Sequence, residues 1–316
     1  MKVLISLLVI SYISLVCSRP RCANKNISPR IAVGFFGISR SLEFVMPTLQ
    51  RHLFDVLDRS HITYDVLTST NAATETVNTR AGQGGVTGGI DQFDVSNLEP
   101  CLISLSDQEL VRLHEWVLFA HAHGIPLDSN FEHNTTKYAH LDEFKDNMVS
   151  IKNLLCAYHS MNVLLEMIEA HQVIHKFTYD AVFILRPDTA LLRDIDLPQH
   201  MDKIKQEPLS IWIPGFQLWG GYNDRAAFGS LTAISVYLKR GKTYRDSPVF
   251  HRAAERLVKN VLDANNITVY NSTMRVARVR QHGVVFEAFR VMDMEEEEWN
   301  RCIVQKDGRL VLAPTC

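Results

Sequence analysis

The sequence lacks an excess of charge of either sign, which first of all excludes a typical polyanion-binding protein. Lys and Arg number 33 and Asp and Glu number 35 among 316 residues, so the net charge is −2. Proteins that bind nucleic acid or anionic membrane surfaces usually carry a clear surplus of basic residues. We therefore expect no nucleic-acid partner. A composition of 46% hydrophobic and 22% charged residues is typical of a globular chain with a substantial core.

The N-terminal apolar run is too short to cross a bilayer comfortably as a helix. It extends from Val3 to Cys17, which is 15 residues, whereas a spanning helix needs about 20. Lys2 precedes the run, and Val16 and Ser18 stand at the positions before a cut after residue 18. This arrangement predicts a signal peptide over residues 1–18 and one domain over residues 19–316. A short uncleaved signal anchor is the alternative, and only an anchor would bring membrane contact.

N-glycosylation sequons accompany this signal segment. Four of them begin at Asn26, Asn134, Asn266 and Asn271. Such triplets mark surface loops of proteins that enter the secretory pathway. The sequence therefore predicts a protein of the ER or Golgi lumen, or a secreted one.

The cysteines lack the spacing of a zinc site, because there is no Cys-x-x-Cys motif and no Cys/His pattern. Signal cleavage would remove Cys17 and leave five cysteines, so at least one thiol has no partner in the chain. Cys156 lies in a helical pattern and is the expected buried free thiol. The other four cysteines allow three pairings, and we favour Cys22 with Cys101 and Cys302 with Cys316.

The hydrophobic pattern predicts an α/β fold. Residues 31–37 form a continuous apolar run of strand length, as expected for a strand buried on both faces of a parallel sheet. A helical pattern over residues 42–57 and a strand over residues 64–69 complete a βαβ unit. Further strands are predicted over residues 179–185 and 210–214. We expect a single domain with a mostly parallel central sheet flanked by helices.

Two helices between these strands carry expectations of their own. A helix over residues 106–122 has Ser106 and Glu109 at the spacing of a capping box. A longer helix over residues 147–172 has one apolar stripe. His159 and His171 fall off that stripe, so both are expected on the surface.

The first polar cluster follows the first predicted strand and contains Gly37, Arg40 and Ser41. Backbone amides at a helix start, together with one guanidinium, can bind phosphate. On this motif alone, a capped helix with a solvated arginine is the simpler interpretation.

The second polar cluster is Arg186-Pro187-Asp188, directly after a very apolar strand. Charged groups there are costly to bury unless they are paired or bind something. Asp188 could hold a divalent cation and Arg186 could meet a phosphate, or the two could pair across the turn. The end of the strand is where ligands of open α/β sheets bind, which favours a functional role.

The third polar cluster extends from Trp219 to Asp224. Gly220 and Gly221 allow a backbone to approach a ligand closely. The ring of Trp219 could stack on a sugar, and Asp224 could act as a base. A tight turn with ordinary core aromatics is the alternative.

Together these motifs resemble those of nucleotide-diphospho-sugar transferases of the GT-A fold. A closer likeness is to poorly characterised glycosyltransferase-like proteins with Gly-x-x-Arg-Ser after a strand, Arg-Pro-Asp at the end of a later strand, and Asn-Asp-Arg before Phe-Gly-Ser. These pieces are residues 37–41, 179–188 (a Tyr-Asp-hydrophobic strand that ends in Arg-Pro-Asp) and 223–230, and the resemblance runs from about residue 30 to residue 285. It implies a GT-A-like (Rossmann-like) domain.

The resemblance also implies an activity, which is transfer of a sugar from a nucleotide-sugar donor to a glycan or glycoprotein acceptor in the secretory pathway. GT-A enzymes usually hold Mn²⁺ or Mg²⁺ with an Asp-x-Asp motif. Here Arg186 replaces the first Asp and only Asp188 remains, which puts metal dependence in question. His282 lies where such folds supply a late metal or phosphate ligand.

The implied roles follow residue by residue. Asp224 matches the carboxylate base in the Trp-Gly-Gly-acidic turn of galactosyltransferases. A catalytically inactive GT-A-like domain that binds glycans or a protein partner is the alternative. A hydrolase is disfavoured because no Gly-x-Ser-x-Gly or His-Glu-x-x-His motif is present. The donor-binding residues are expected to be Gly37, Arg40, Ser41, Arg186, Asp188, Trp219, Gly220, Gly221 and Asn223.

Overall fold

The computed structural model describes most of the chain, in nine ranges. Two exposed sequon residues, Asn266 and Asn271, lie within them, whereas Asn26 and Asn134 lie outside. The described ranges are residues 12–15, 21–22, 29–72, 75–77, 86–89, 95–128, 148–246, 254–285 and 295–316.

Strands are numbered here in chain order. Their bounds, from β1 to β14, are Tyr12–Leu15, Arg30–Ile38, Thr63–Ala72, Glu75–Val77, Val86–Gly89, Leu102–Asp107, Ala181–Leu185, Thr189–Leu191, Ser210–Pro214, Ala226–Gly229, Thr268–Ser272, Val276–Arg278, Ile303–Lys306 and Arg309–Leu312. Eight of these strands form the central sheet, in the spatial order β1-β6-β3-β2-β7-β10-β9-β11, and the pairs β4–β5, β8–β12 and β13–β14 lie outside it.

Most strands of the central sheet run in one direction. Strands β6, β3, β2 and β7 are parallel neighbours, and β9 is parallel to β11. Strand β10 is antiparallel to both β7 and β9, and β1 is antiparallel to β6. The predicted α/β class with a mostly parallel sheet is confirmed. The edge strand β1 lies within the predicted signal segment, whose cleavage stays a prediction.

Helices cover both faces of this sheet. Val33 and Phe35 of β2 belong to one core and Ala32 and Phe36 to the other, because successive side chains of a strand point to opposite faces. The helices are Leu42–Leu49, Asp55–Arg59, Gln108–Ala122, Val149–His175, Leu197–Gln206, Leu231–Leu238, Arg240–Asp246, Ala254–Ala264 and Glu296–Cys302, with a π-helical turn at Gln50–Phe54 and 3₁₀ turns at Val95–Leu98 and Gln281–Gly283.

The long helix Val149–His175 lies directly on the sheet. A Cβ atom at Gly34 would come within 2.8 Å of Leu164 Cδ2, so a larger residue here would require the Leu164 side chain to move. No helix in the described ranges combines the length and the apolar character needed to cross a membrane.

Three local expectations are wrong. Ser106 lies in β6, a strand that the pattern did not predict, and Asp107 caps the helix Gln108–Ala122 by accepting from the amides of Glu109 and Leu110. His171 is buried, and its Nδ1 lies 2.7 Å from the Tyr179 hydroxyl. His159 is half-buried and contacts Glu115. Each of the two histidines contacts a polar side chain outside its own helix, which explains why both lie inward.

The predicted disulfide pairing is confirmed. Cys22 is bonded to Cys101 and Cys302 to Cys316, with Cα atoms 5.3 and 4.6 Å apart. Among the cysteines in the described ranges, Cys156 is the free one, and it is buried. Burial raises the pKa of its thiol to about 12. This thiol is therefore a packing group rather than a nucleophile.

Candidate functional site

The sheet brings the first two polar clusters together at its topological switch point. The chain moves outwards in one direction through β2, β3 and β6, then crosses to β7 on the other side of β2. A crevice outside the carboxyl ends of the strands is expected where the order reverses. Arg40 follows β2, and Arg186 and Asp188 follow β7. Their side chains therefore meet although 146 positions separate the two arginines in the sequence.

The centre of the site is the Asp188 carboxylate, which three arginines surround. Arg40 donates to Asp188 Oδ2 from Nε at 2.9 Å and from Nη2 at 2.8 Å. Arg186 donates from Nε to Oδ1 at 3.1 Å and from Nη2 to Oδ2 at 2.9 Å. Arg280 Nη1 donates to Oδ2 at 3.4 Å. Three guanidinium charges thus face one carboxylate charge.

This cluster is largely withdrawn from water. Asp188 is 1% exposed, Arg40 and Arg280 are 7% exposed, and the side chain of Arg186 is 30% exposed. Burial alone would raise the pKa of Asp188, but Arg186, Arg40 and Arg280 together hold it well below its ordinary value. Burial lowers the pKa of Arg280 far below its usual range, and the neighbouring Arg40 lowers it further. Because arginine stays protonated in proteins, a bound anion, and not proton loss, would relieve this crowding of charge.

The sequence did not single out Arg280 as a site residue. It reaches Asp188 because β8, just after Asp188, pairs antiparallel with β12, just before Arg280. The Val279 amide donates to the Asp188 carbonyl oxygen at 2.9 Å and closes this ladder. His282 lies two residues further on, in an exposed turn, so Arg280 is the residue of this segment that contacts the carboxylate. Arg280 comes two residues after β12, and an arginine beyond the end of a short strand was the available signal.

The first cluster is not a capped helix with a solvated arginine. Arg40 is buried against Asp188, and Ser41 makes no side-chain cap for the helix Leu42–Leu49. Ser41 is fully buried, and its Oγ has no hydrogen-bond partner in the described part of the chain. Gly37 has φ of 102°, a backbone conformation that favours glycine and turns the chain at the end of β2.

The third cluster forms the turn between β9 and β10, beside the same edge of the sheet. A Cβ atom at Gly221 would overlap the Glu255 carbonyl oxygen, and Gly220 has φ of 77°. Trp219 is exposed, so its ring is accessible to a ligand. Asn223 is buried and closes the turn, because its Oδ1 accepts from the Arg225 amide at 3.0 Å and its Nδ2 donates to the Phe216 carbonyl at 3.2 Å.

Asp224, the last residue of the third cluster, has an acidic neighbour, Glu255, that the sequence did not indicate. Burial, then the charge of Asp224, raises the pKa of Glu255 to about 7. Burial alone would lower the pKa of Arg186, but Asp188 and then Asp224 raise it. Asp224 therefore lies within electrostatic reach of both the arginine cluster and Glu255. Glu255 belongs to the helix Ala254–Ala264, where its helical pattern concealed any functional signal.

The arrangement can bind an anion at the arginines and accept a proton at Asp224. Cation binding by Asp188 would require the carboxylate to give up arginine donors, and metal ligation by Asp188 and His282 stays a prediction. A separate group of His114, Glu115 and His159 has the composition and proximity of a metal site. The group forms where two helices contact each other, so no motif in the sequence predicts it.

Comparisons with known proteins give little beyond this geometry. No protein-family model matches the chain, and no curated protein matches its sequence. The apo crystal structure of mouse xyloside xylosyltransferase 1 is similar with a TM-score of 0.34 and 10% identity, covering 77% of this chain and 84% of that one. A likeness of this size does not establish a common fold or function.

Proposed function

We propose that this protein is a glycosyltransferase that binds the diphosphate of a nucleotide-sugar donor on the arginines around Asp188. The observation that carries the proposal is the cluster of three guanidiniums on one buried carboxylate at the switch point of the sheet. Asp188 neutralises one of the three positive charges and holds the side chains in place. The remaining positive charge suits a diphosphate, which arginine binds through paired N–H donors.

The same charge supports the chemistry of transfer. In an inverting reaction, an acceptor hydroxyl oxygen forms a bond to the anomeric carbon while the bond to the nucleoside diphosphate breaks. Negative charge then develops on the leaving diphosphate, where fixed guanidiniums stabilise it. Asp224 takes the proton of the attacking hydroxyl, and its charge acts on both Arg186 and Glu255, which supports placing it close to the diphosphate.

Donor binding in this proposal does not depend on Mn²⁺ or Mg²⁺. An ionised carboxylate offers about four lone-pair sites. Asp188 accepts five N–H contacts from Arg40, Arg186 and Arg280. Four of these contacts are at Oδ2 and one is at Oδ1, and the three guanidinium charges around the carboxylate disfavour a cation there, whereas arginine can neutralise phosphate itself.

The proposed setting is the secretory pathway, with a glycan or glycoprotein as acceptor. Two exposed sequons at Asn266 and Asn271 support it, as do two disulfides, which persist in oxidising compartments. The predicted signal segment agrees with this setting. Detection of N-glycans on Asn266 or Asn271 in a eukaryotic secretory host is the direct check.

The test is a thermal-shift panel on the full chain with UDP, GDP, CMP and ADP, each with Mn²⁺ and with a chelator. We expect one nucleotide to raise Tm in both conditions, because a ligand bound by the folded state alone stabilises it. Arg40→Gln should clearly reduce the shift, and Arg59→Gln, at an exposed pair with Asp194, should keep it. A shift that requires Mn²⁺ would overturn metal-independent binding.

A catalytically inactive binding domain is the second candidate, and the saturation of Asp188 by arginines favours it. Enzymatic turnover of a donor distinguishes the two candidates. A nucleotide-induced shift with neither donor hydrolysis nor transfer, across donors of that nucleotide, would establish the inactive domain. No shift with any nucleotide would remove the donor-binding proposal.

A further inference from the structure

Two helices bring a histidine–glutamate–histidine group together outside the residues assigned to the donor. His114 and Glu115 lie on the helix Gln108–Ala122, and His159 lies on the helix Val149–His175. Glu115 Oε1 is 3.0 Å from His159 Nδ1 and 3.5 Å from His114 Nδ1. The three residues offer ligand atoms that all lie within 4.8 Å of one another.

These separations match the demands of a tetrahedral metal ion. Zinc bonds to nitrogen and oxygen are about 2.0–2.2 Å long, so tetrahedral ligand atoms lie about 3.3–3.5 Å apart. The two glutamate–histidine separations of 3.0 and 3.5 Å bracket that value, and the third separation, between the two histidine nitrogens, is at most 4.8 Å and would close on binding. We propose that His114, Glu115 and His159 bind one zinc ion, with the fourth position held by an exchangeable ligand.

The donor set selects the class of metal. Two imidazoles and one carboxylate suit zinc and its neighbours in the first transition row. Magnesium and calcium instead prefer sites built from oxygen atoms alone. Three protein ligands with one exchangeable position is also an arrangement in which zinc remains accessible to a small molecule.

Both imidazoles have a nitrogen available for the metal. His114 Nδ1 and His159 Nε2 are buried and have no hydrogen-bond partner in the described part of the chain. A buried polar atom without a partner is costly. A metal ion bonded to His114 Nδ1 and His159 Nδ1, the two nitrogens that face Glu115 Oε1, would give His114 Nδ1 a partner.

The carboxylate is also oriented for ligation. Glu115 is 8% exposed, and Arg245 Nη1 lies 3.4 Å from its Oε2. This contact leaves Oε1 facing the two histidines. Ligating carboxylates typically have such an outer partner, which fixes the direction of the bond to the metal.

The test uses the untagged full chain, treated with a chelator and dialysed, then titrated with Zn²⁺ in a calorimeter. We expect one equivalent to bind. His114→Gln should weaken binding by about 100-fold or more, since loss of an outer-shell partner alone costs 10–100-fold. His121→Gln, at an exposed position of the same helix, is the matched control and should bind as the wild type does.

Co²⁺ in place of Zn²⁺ reports on the geometry of the site. We expect an intense visible absorption typical of tetrahedral cobalt, lost in both His159→Gln and His114→Gln. Metal-free Tm values of the variants, compared with the wild type, verify that they fold. Zinc binding of equal strength in wild type and folded His114→Gln, or no stoichiometric binding by the wild type, would overturn the proposal.

Discussion

Buried arginine–aspartate clusters lie at opposite edges of the same sheet, and they differ in charge balance. At the amino edge, Arg30 at the start of β2 donates from Nε and Nη2 to Asp65 Oδ2, both at 2.7 Å. At the carboxyl edge, three arginines converge on Asp188. Both aspartates are buried. The two edges therefore share residue types and burial but not the ratio of positive to negative groups.

The amino-edge network is closed by neutral partners. The Tyr179 hydroxyl donates to Asp65 Oδ2 at 3.0 Å, and His171 Nδ1 lies 2.7 Å from that hydroxyl. The guanidinium of Arg30 stacks over Phe177, 3.7 Å from the ring centroid. A network whose charges cancel and whose polar groups are paired is a structural element.

The carboxyl-edge cluster has a net positive charge. Burial is the main reason that the pKa of Arg280 is lowered, and the like charge of Arg40 lowers it further, so Asp188 only partly offsets the positive charge here. A buried ion pair alone therefore says little about function, whereas an excess of positive charge at a switch point supports the proposed anion site.

The largest expected effect is chemical and belongs to the carboxyl edge. Asp224→Asn should lower the rate of transfer by about 10²–10⁴-fold, because a positioned general base contributes that much. The nucleotide-induced rise in Tm should survive, since the arginines that bind the donor are intact. Radiolabelled sugar transfer measured beside thermal shift separates the two properties. Wild-type turnover in Asp224→Asn would remove the residue from catalysis.

Breaking the amino-edge pair should produce the largest loss of stability. Arg30→Leu leaves Asp65 buried without its guanidinium, and we expect the free energy of unfolding to fall by about 3–5 kcal/mol. Urea denaturation measures the change. Arg59→Leu is the control, because its pair with Asp194 is exposed and worth less than about 1 kcal/mol. Equal losses in the two variants would contradict a structural role for the buried pair.

One arginine fewer at the carboxyl edge should affect ligand binding more than folding. Arg40→Gln leaves Asp188 with Arg186 and Arg280, so we expect a smaller loss of stability than in Arg30→Leu. Donor affinity should fall by about 10–100-fold, or about 1.4–2.8 kcal/mol, for the lost charged hydrogen bonds. Calorimetric titration with the nucleotide gives the value. A stability loss as large as that of Arg30→Leu would make the two edges equivalent.

The smallest expected effect is a pH dependence from Glu255. Its pKa in the folded protein is about 7, raised from 4.5, so the folded state binds more protons than the unfolded chain between these values. The stability linked to this group is therefore complete below pH 4.5 and is lost as pH rises through 7. Glu255→Gln should remove that slope. Urea denaturation of both proteins on either side of pH 7 checks it, and parallel profiles would contradict it.

Local patterns predicted four of the eight strands of the central sheet and failed where partners are distant. The apolar runs of β2, β7 and β9 predicted buried strands. Burial of His171 was missed because its partner Tyr179 lies outside the helix. The cap was assigned to Ser106 because spacing alone does not distinguish it from Asp107.

The sequence by itself determined the α/β class, the positions of the polar clusters after strands, and the residue types Arg40, Arg186, Asp188 and Asp224. These follow from hydrophobic period and from the chemistry of single residues, which are local properties. Only the tertiary structure decided that Arg40, Arg186 and Arg280 share one carboxylate, and that Glu255 approaches Asp224. The reason is that charge balance is a property of groups distant in sequence, and strand order and the β8–β12 ladder bring them together.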